Sequence, residues 1–210
     1  MLSLMMLHSK FLDAQKKWDG GGGDNQWTTA ANWTDDIIPV STDDVLLDNV
    51  SVAGSYLVQL PNSAVTINTL TITPAVTDSI KLLLPVTNTV IPAFSITGAG
   101  GVVINDRGVF INSSGGSPGA AIVLNDSVKI YNGGRLVHKT SNSHASYVSR
   151  LSRAPGTEKG IFEFDVPGGN AIKACQVYAT PSDNGAGTSL HDWNDFTIAD
   201  GLLVDFAGSP

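Results

Sequence analysis

"VVINDRGVFINSSGG" (102–116) and "VKIYNGGRLVHKT" (128–140) decide the fold. Each runs a short apolar stretch into a polar turn and then into a second short strand. The turns are Asn105-Asp-Arg-Gly108 in the first and Asn132-Gly-Gly134 in the second. The two segments are near-copies of one strand–turn–strand unit. Strands of roughly three to five residues are too short to hold a free-standing sheet. Stacked in a coil, each rung pairs its backbone with the rungs above and below, and one continuous core fills the inside. The pattern therefore predicts an all-β chain built as a right-handed parallel β-helix. A β-sandwich of hairpins is the alternative, but it would use longer strands with cleaner alternation.

The same rhythm extends on both sides. "DDVLLDNVSV" (43–52) and "SYLVQLP" (55–61) read as strands, and "SAVTINTLTITP" (63–74) alternates with period two. "SIKLLLP" (79–85) is a short buried run stopped by Pro85. Gly98-Ala-Gly-Gly101 and Asn125-Asp-Ser127 mark further turns. "SNSHASYVSRLSRAPGTEKG" (141–160) lacks strand alternation and reads as a loop or short helix leaving the solenoid.

Composition agrees. The chain has 210 residues, enough for one large all-β domain. Charged residues make up 15%, below the roughly 25% usual for globular proteins, and Gly, Ser, Thr, Asn and Val take their place. The net charge of −7 argues against nucleic acid as a partner. Cys175 is the single cysteine, so no intrachain disulfide forms. No apolar run reaches the roughly 20 residues of a membrane helix.

The first residues differ in character. "MLSLMMLHSKFLDAQ" (1–15) is Met- and Leu-rich and ends Ala14-Gln15, like the back half of a secretory signal peptide. An ordinary N-terminal helix or a mis-called start codon is the competing reading. Sequons at Asn32, Asn49, Asn112 and Asn125 matter only in a eukaryotic host and arise readily in such a composition.

Next comes "KKWDGGGGDNQWTTAANW" (16–33), three tryptophans around four consecutive glycines. Trp is costly to expose and Gly costly to order, so the stretch builds something specific. An open solenoid end exposes strand edges and core, and needs a cap. Trp18, Trp27 and Trp33 suit that task. The competing reading is a row of aromatic rings stacking on sugars.

Together with "INTLTI" (67–72), "YNGGRLVHKT" (131–140) and "GIFEFDVPGG" (160–169), the stretch "KWDGGGGDNQWTTAANWTDDIIPVSTDDVLLDN" (17–49) resembles a family of secreted bacterial β-helix, adhesin-like surface proteins. The matching residues are Trp18, Asp19, Gly20, Gly21, Trp27, Asn32, Trp33, Pro39, Asp43, Asp44 and Val45. The resemblance covers roughly residues 16–170 and implies secretion or a cell-surface location. Members of that family are usually longer, so it also implies a fragment of a longer chain. The organisation expected is a signal-peptide remnant at 1–15, a cap with the first strands at 16–50, solenoid rungs at 51–170 and a divergent end at 171–210.

Candidate chemistry is sparse. Asp35-Asp36, Asp43-Asp44 and Asp48 are candidate oxygen ligands for Ca²⁺, without the spacing of a dedicated loop. His8, His138, His144 and His191 show no zinc-site spacing. No phosphate cradle and no Gly-x-Ser-x-Gly elbow is present. Lys129, Arg135, Lys139, Arg150, Arg153 and Lys159 are half of all the basic residues, and only Glu158 opposes them between 129 and 159. With His138, His144 and Tyr147 they are candidate groups for holding an anionic polysaccharide, or for β-elimination on its uronates. The sequence thus favours a non-catalytic structural or adhesive surface protein without a cofactor. A module that binds a cell-surface glycan, or binds or cleaves an acidic polysaccharide, is the alternative.

Overall fold

The computed structural model describes residues 15–165, apart from 153 and 158, and residues 203–207. The expected signal remnant lies outside the described residues except for Gln15. Of the divergent end, only 203–207 is described.

Strand β1 (Lys16–Lys17) opens the chain. The first full turn carries β2 (Asp44–Asp48), β3 (Tyr56–Gln59) and β4 (Val65–Ile67). The second carries β5 (Thr69–Thr73), β6 (Ile80–Leu84) and β7 (Phe94–Ile96). The third carries β8 (Val102–Ile104), β9 (Gly108–Asn112) and β10 (Ile122–Leu124). The fourth carries β11 (Val128–Ile130) and β12 (Arg135–His138), and the place of a third strand is taken by a 3₁₀ turn, Ser146–Arg150. β13 (Ile161–Asp165) and β14 (Leu203–Ala207) follow.

These strands form three sheets, ordered β1-β2-β5-β8-β11, β4-β7-β10 and β3-β6-β9-β12-β13-β14. Every pairing of these strands is parallel. The molecule is therefore a parallel β-solenoid whose longest sheet counts six turns. A sandwich of hairpins would need antiparallel neighbours. The two near-copies lie one turn apart, with Ile104 beside Ile130 and Phe110 beside Leu136. The polar turn inside each is a corner between two sheets, where Asn105 Nδ2 donates to Thr73 Oγ1 of the turn before at 2.7 Å.

Period-two alternation aims every second side chain inward. Register then stacks like on like along the axis. One column runs Val45, Leu70, Val102, Val128, and the next runs Leu47, Ile72, Ile104, Ile130. A third runs Val58, Leu82, Phe110, Leu136, Phe162. All of these are buried. β-branched and large apolar residues fit such a pleated column, and their burial is the main stabilising term. A polar ladder climbs one corner beside the columns. Asn88 Nδ2 donates to the carbonyls of Pro61 and Ser63, Ser114 Oγ donates to Asn88 O, and Thr140 Oγ1 donates to Ser114 O.

Candidate functional site

The tryptophans come first, because they form the start of the core. Trp18 follows β1 and its backbone N–H donates to Leu46 O at 3.2 Å. Trp33 pairs with it as an antiparallel bridge. The rings of Trp18 and Trp33 meet edge-on at 5.0 Å, as do Trp33 and Trp27 at 4.6 Å. Trp27 continues the contact to Phe94, and Phe94 to Phe110, so aromatic rings run down the axis from the N-terminal end. Trp33 Nε1 donates to Trp27 O at 2.8 Å, which satisfies the one polar atom such a buried ring carries. Exposures are 2% for Trp18, 1% for Trp27 and 0% for Trp33. A ring that stacks on a sugar must offer a face to solvent. These three offer none, so the platform reading is corrected.

The glycines explain themselves in the same place. Asn32 is fully buried, and its Oδ1 accepts from Gly22 N at 2.9 Å. A Cβ on Gly22 would lie 2.8 Å from that oxygen and 2.5 Å from Thr29 Cγ2, and one on Gly21 would lie 2.6 Å from Ala31 O. The loop must wrap this close for its N–H to reach Asn32, and only glycine allows it. Asp24 completes the knot. Its carboxylate accepts from Gln26 N, Thr29 Oγ1 and Asn32 Nδ2, and these bonds hold its pKa below the usual carboxylate range.

The basic candidates do not converge. Lys129 points outward from β11, on the five-stranded sheet, with Asp126 near enough to feel its charge. Arg135 points outward from β12, on the six-stranded sheet, and is ion-paired with Glu163. Lys139 follows β12 and is ion-paired with Asp165. Arg150 is exposed at the end of the 3₁₀ turn. His144 is half-buried, and desolvation lowers its pKa. Arg153 lies outside the described residues. Glu163 and Asp165, from the next turn, are the opposing charges that the sequence reading missed.

His138 is a core residue and not part of a basic surface. It ends β12 with 0% exposure and belongs to the core. Its Nδ1 shares a hydrogen bond with the Tyr147 hydroxyl, which also accepts from Asn112 Nδ2 at 3.3 Å. Burial pushes the imidazole pKa down to about 3, against the opposing effect of a hydrogen bond with the backbone of Thr140. No substrate reaches a pair enclosed in this way, so His138 and Tyr147 carry no β-elimination.

Four of the five acidic candidates have partners of their own. Asp35 lies 3.6 Å from Lys16 Nζ. Asp43 accepts from Val40 N, Asp44 from Asn68 Nδ2 and Thr69 Oγ1, and Asp48 from Val50 N. Among the described residues no group of three or more His, Cys, Asp or Glu is placed to hold a metal ion, which leaves the Ca²⁺ expectation without a site there. Among them, too, no helix is long and apolar enough to cross a membrane. Against known proteins, no family model, no curated protein and no solved structure matches this chain.

Proposed function

We propose that this chain is a non-catalytic structural module of adhesive type, exported to the medium or the cell surface. One observation carries the reading: among the described residues, most of the candidate side chains are spent on the fold. The tryptophans fill the core, His138 lies inside it, and Arg135 and Lys139 are paired with acids of the next turn. What remains outside is a set of sheet faces repeated every turn, a surface suited to extended contact and not to a single reaction centre. The resemblance of residues 16–170 to secreted adhesin-like proteins points the same way.

The test has two arms. The full chain is incubated with a panel of acidic polysaccharides, followed by ultraviolet absorbance of unsaturated product and by retardation on the same polymers. The reading expects no product and no retention that depends on Lys129 or Arg150. Turnover, or retention abolished by Lys129→Ala or Arg150→Ala, would replace it with the lyase or glycan-binding reading. In the second arm, antibody labelling of intact source cells and of the medium should find the chain. Detection only after lysis would remove the surface assignment.

A further inference from the structure

The inward columns of the first turns are apolar, and the third and fourth turns break that pattern at one place. His138 lies in register between Asn112 of β9 and Phe164 of β13. Tyr147 reaches the same point from the 3₁₀ turn Ser146–Arg150. Asn112, His138 and Tyr147 are each at most 1% exposed. The 3₁₀ turn packs against β10, the last strand of the three-stranded sheet. The chain leading to it is tied down by bonds to the turn before. Thr140 Oγ1 donates to Ser114 O, Ala121 N to Ser143 Oγ at 2.8 Å, and His144 N to Gly119 O at 2.8 Å. Residues 140–150 thus form a strap over the edge of β10, and the largest of its side chains in the core, Tyr147, which packs there with Ala145 and Val148, is bonded to a titratable group.

We infer that Asn112, His138 and Tyr147 form an acid-sensitive latch: acidification frees the strap 140–150 from the edge of β10 while the first three turns stay folded. The geometry gives the reason. With the strap in place, His138 is walled in by Tyr147 and cannot take up a proton without burying a charge. With the strap away, the imidazole meets water and protonates freely. The backbone of Thr140 and Ser143 favours the charged imidazole but is outweighed by burial, and the titratable groups around it act with burial or are directed elsewhere. His144, on the strap, is a second cation when protonated and disfavours charge on His138. Glu163 and Asp165 of β13 flank the residue in register with His138, so they lie on the other face of the sheet, paired with Arg135 and Lys139. Tyr147 and Asn112 are neutral.

The sign follows from linkage. A group whose pKa is lower in the closed form binds fewer protons there than in the open form. Closing is therefore favoured fully above the ordinary His value of 6.5 and is weakened progressively as pH falls from there toward about 3. Between pH 7.5 and 4.5 the opening equilibrium should rise about 100-fold.

Hydrogen exchange on the full chain, expressed as protection factors corrected for intrinsic rates, reads this directly. Between pH 7.5 and 4.5 the protection of amides 140–150 should fall about 100-fold, while that of β5, β6 and β8 holds. In His138→Gln, which keeps an acceptor for Tyr147 and does not titrate, the fall should shrink to the small part owed to His144. Flat protection in the strap, equal loss throughout the core, or an undiminished fall in His138→Gln would overturn the inference. Should His138→Gln fail to fold, imidazole titration by NMR in the unmodified chain decides. His138 must stay neutral for as long as the strap is protected, and an ordinary titration near pH 6.5 with protection intact would overturn the inference.

Discussion

The side-chain amide of Asn32 donates to the carboxylate of Asp24, Nδ2 to Oδ1, at 2.7 Å. This bond ties the glycine loop to the tryptophan cap. The same amide lies 3.1 Å from Gln26 O, and the amide oxygen accepts from Gly22 N. One buried side chain thus gathers backbone groups that would otherwise be left without partners at the end of a solenoid.

Asn32→Ala removes that hub, and Gly22 N–H, the Asp24 carboxylate and Gln26 O lose their common partner. A hydrogen bond in a folded protein contributes about 0.5–1.5 kcal/mol, and buried Asn32 makes several, so the variant should lose about 1–3 kcal/mol. Denaturant melts of variant and parent measure it. A loss within experimental error would show that water replaces the hub.

How much of this was legible follows from ranges of interaction. The inward columns were readable because alternation is local, and each strand announces its own buried face. The burial of the three tryptophans was readable because Trp beside a glycine run is costly unless it is used. The role of Asn32 was not, since it depends on a loop closing over it. His138 was misassigned although a local signal existed. In "RLVH", period two puts His138 on the face of Leu136, and Arg135 on the opposite face with Val137. The ion pairs were hidden for a different reason. Arg135 and Glu163 lie 28 residues apart and Lys139 and Asp165 lie 26 apart, distances that become contacts only once the length of a turn is known.

Alternation itself makes the next prediction. Phe110 is buried against Phe94, while its neighbour Val109 points outward between Lys81 and Arg135. Phe110→Ala should cost about 3–5 kcal/mol. Val109→Ala should cost at most about 1 kcal/mol. Equal losses in paired melts would contradict the register.

Lys139 and Asp165 test what the surface charges do. Their side chains are 50% and 32% exposed, so solvent screens the pair. A double-mutant cycle with Lys139→Ala and Asp165→Ala should give a coupling below about 1 kcal/mol. Retention of Lys139→Ala on anionic polysaccharide should equal that of the parent. A selective loss of retention would return Lys139 to a binding role.

The measurement that bears most directly on the central claim, that the chain's chemically distinctive side chains close and hold the solenoid, is the paired melt and glycan retention of Trp33→Ala. Trp33 is fully enclosed between Trp18 and Trp27. Its truncation should cost about 3–5 kcal/mol, the usual penalty for emptying a large aromatic site. It should also bare the edge of the first turn and promote association of chains. Retention on glycan columns should not change in the folded fraction. A collapsed melt with unchanged retention is the predicted result, and an unchanged melt with lost retention would contradict the account.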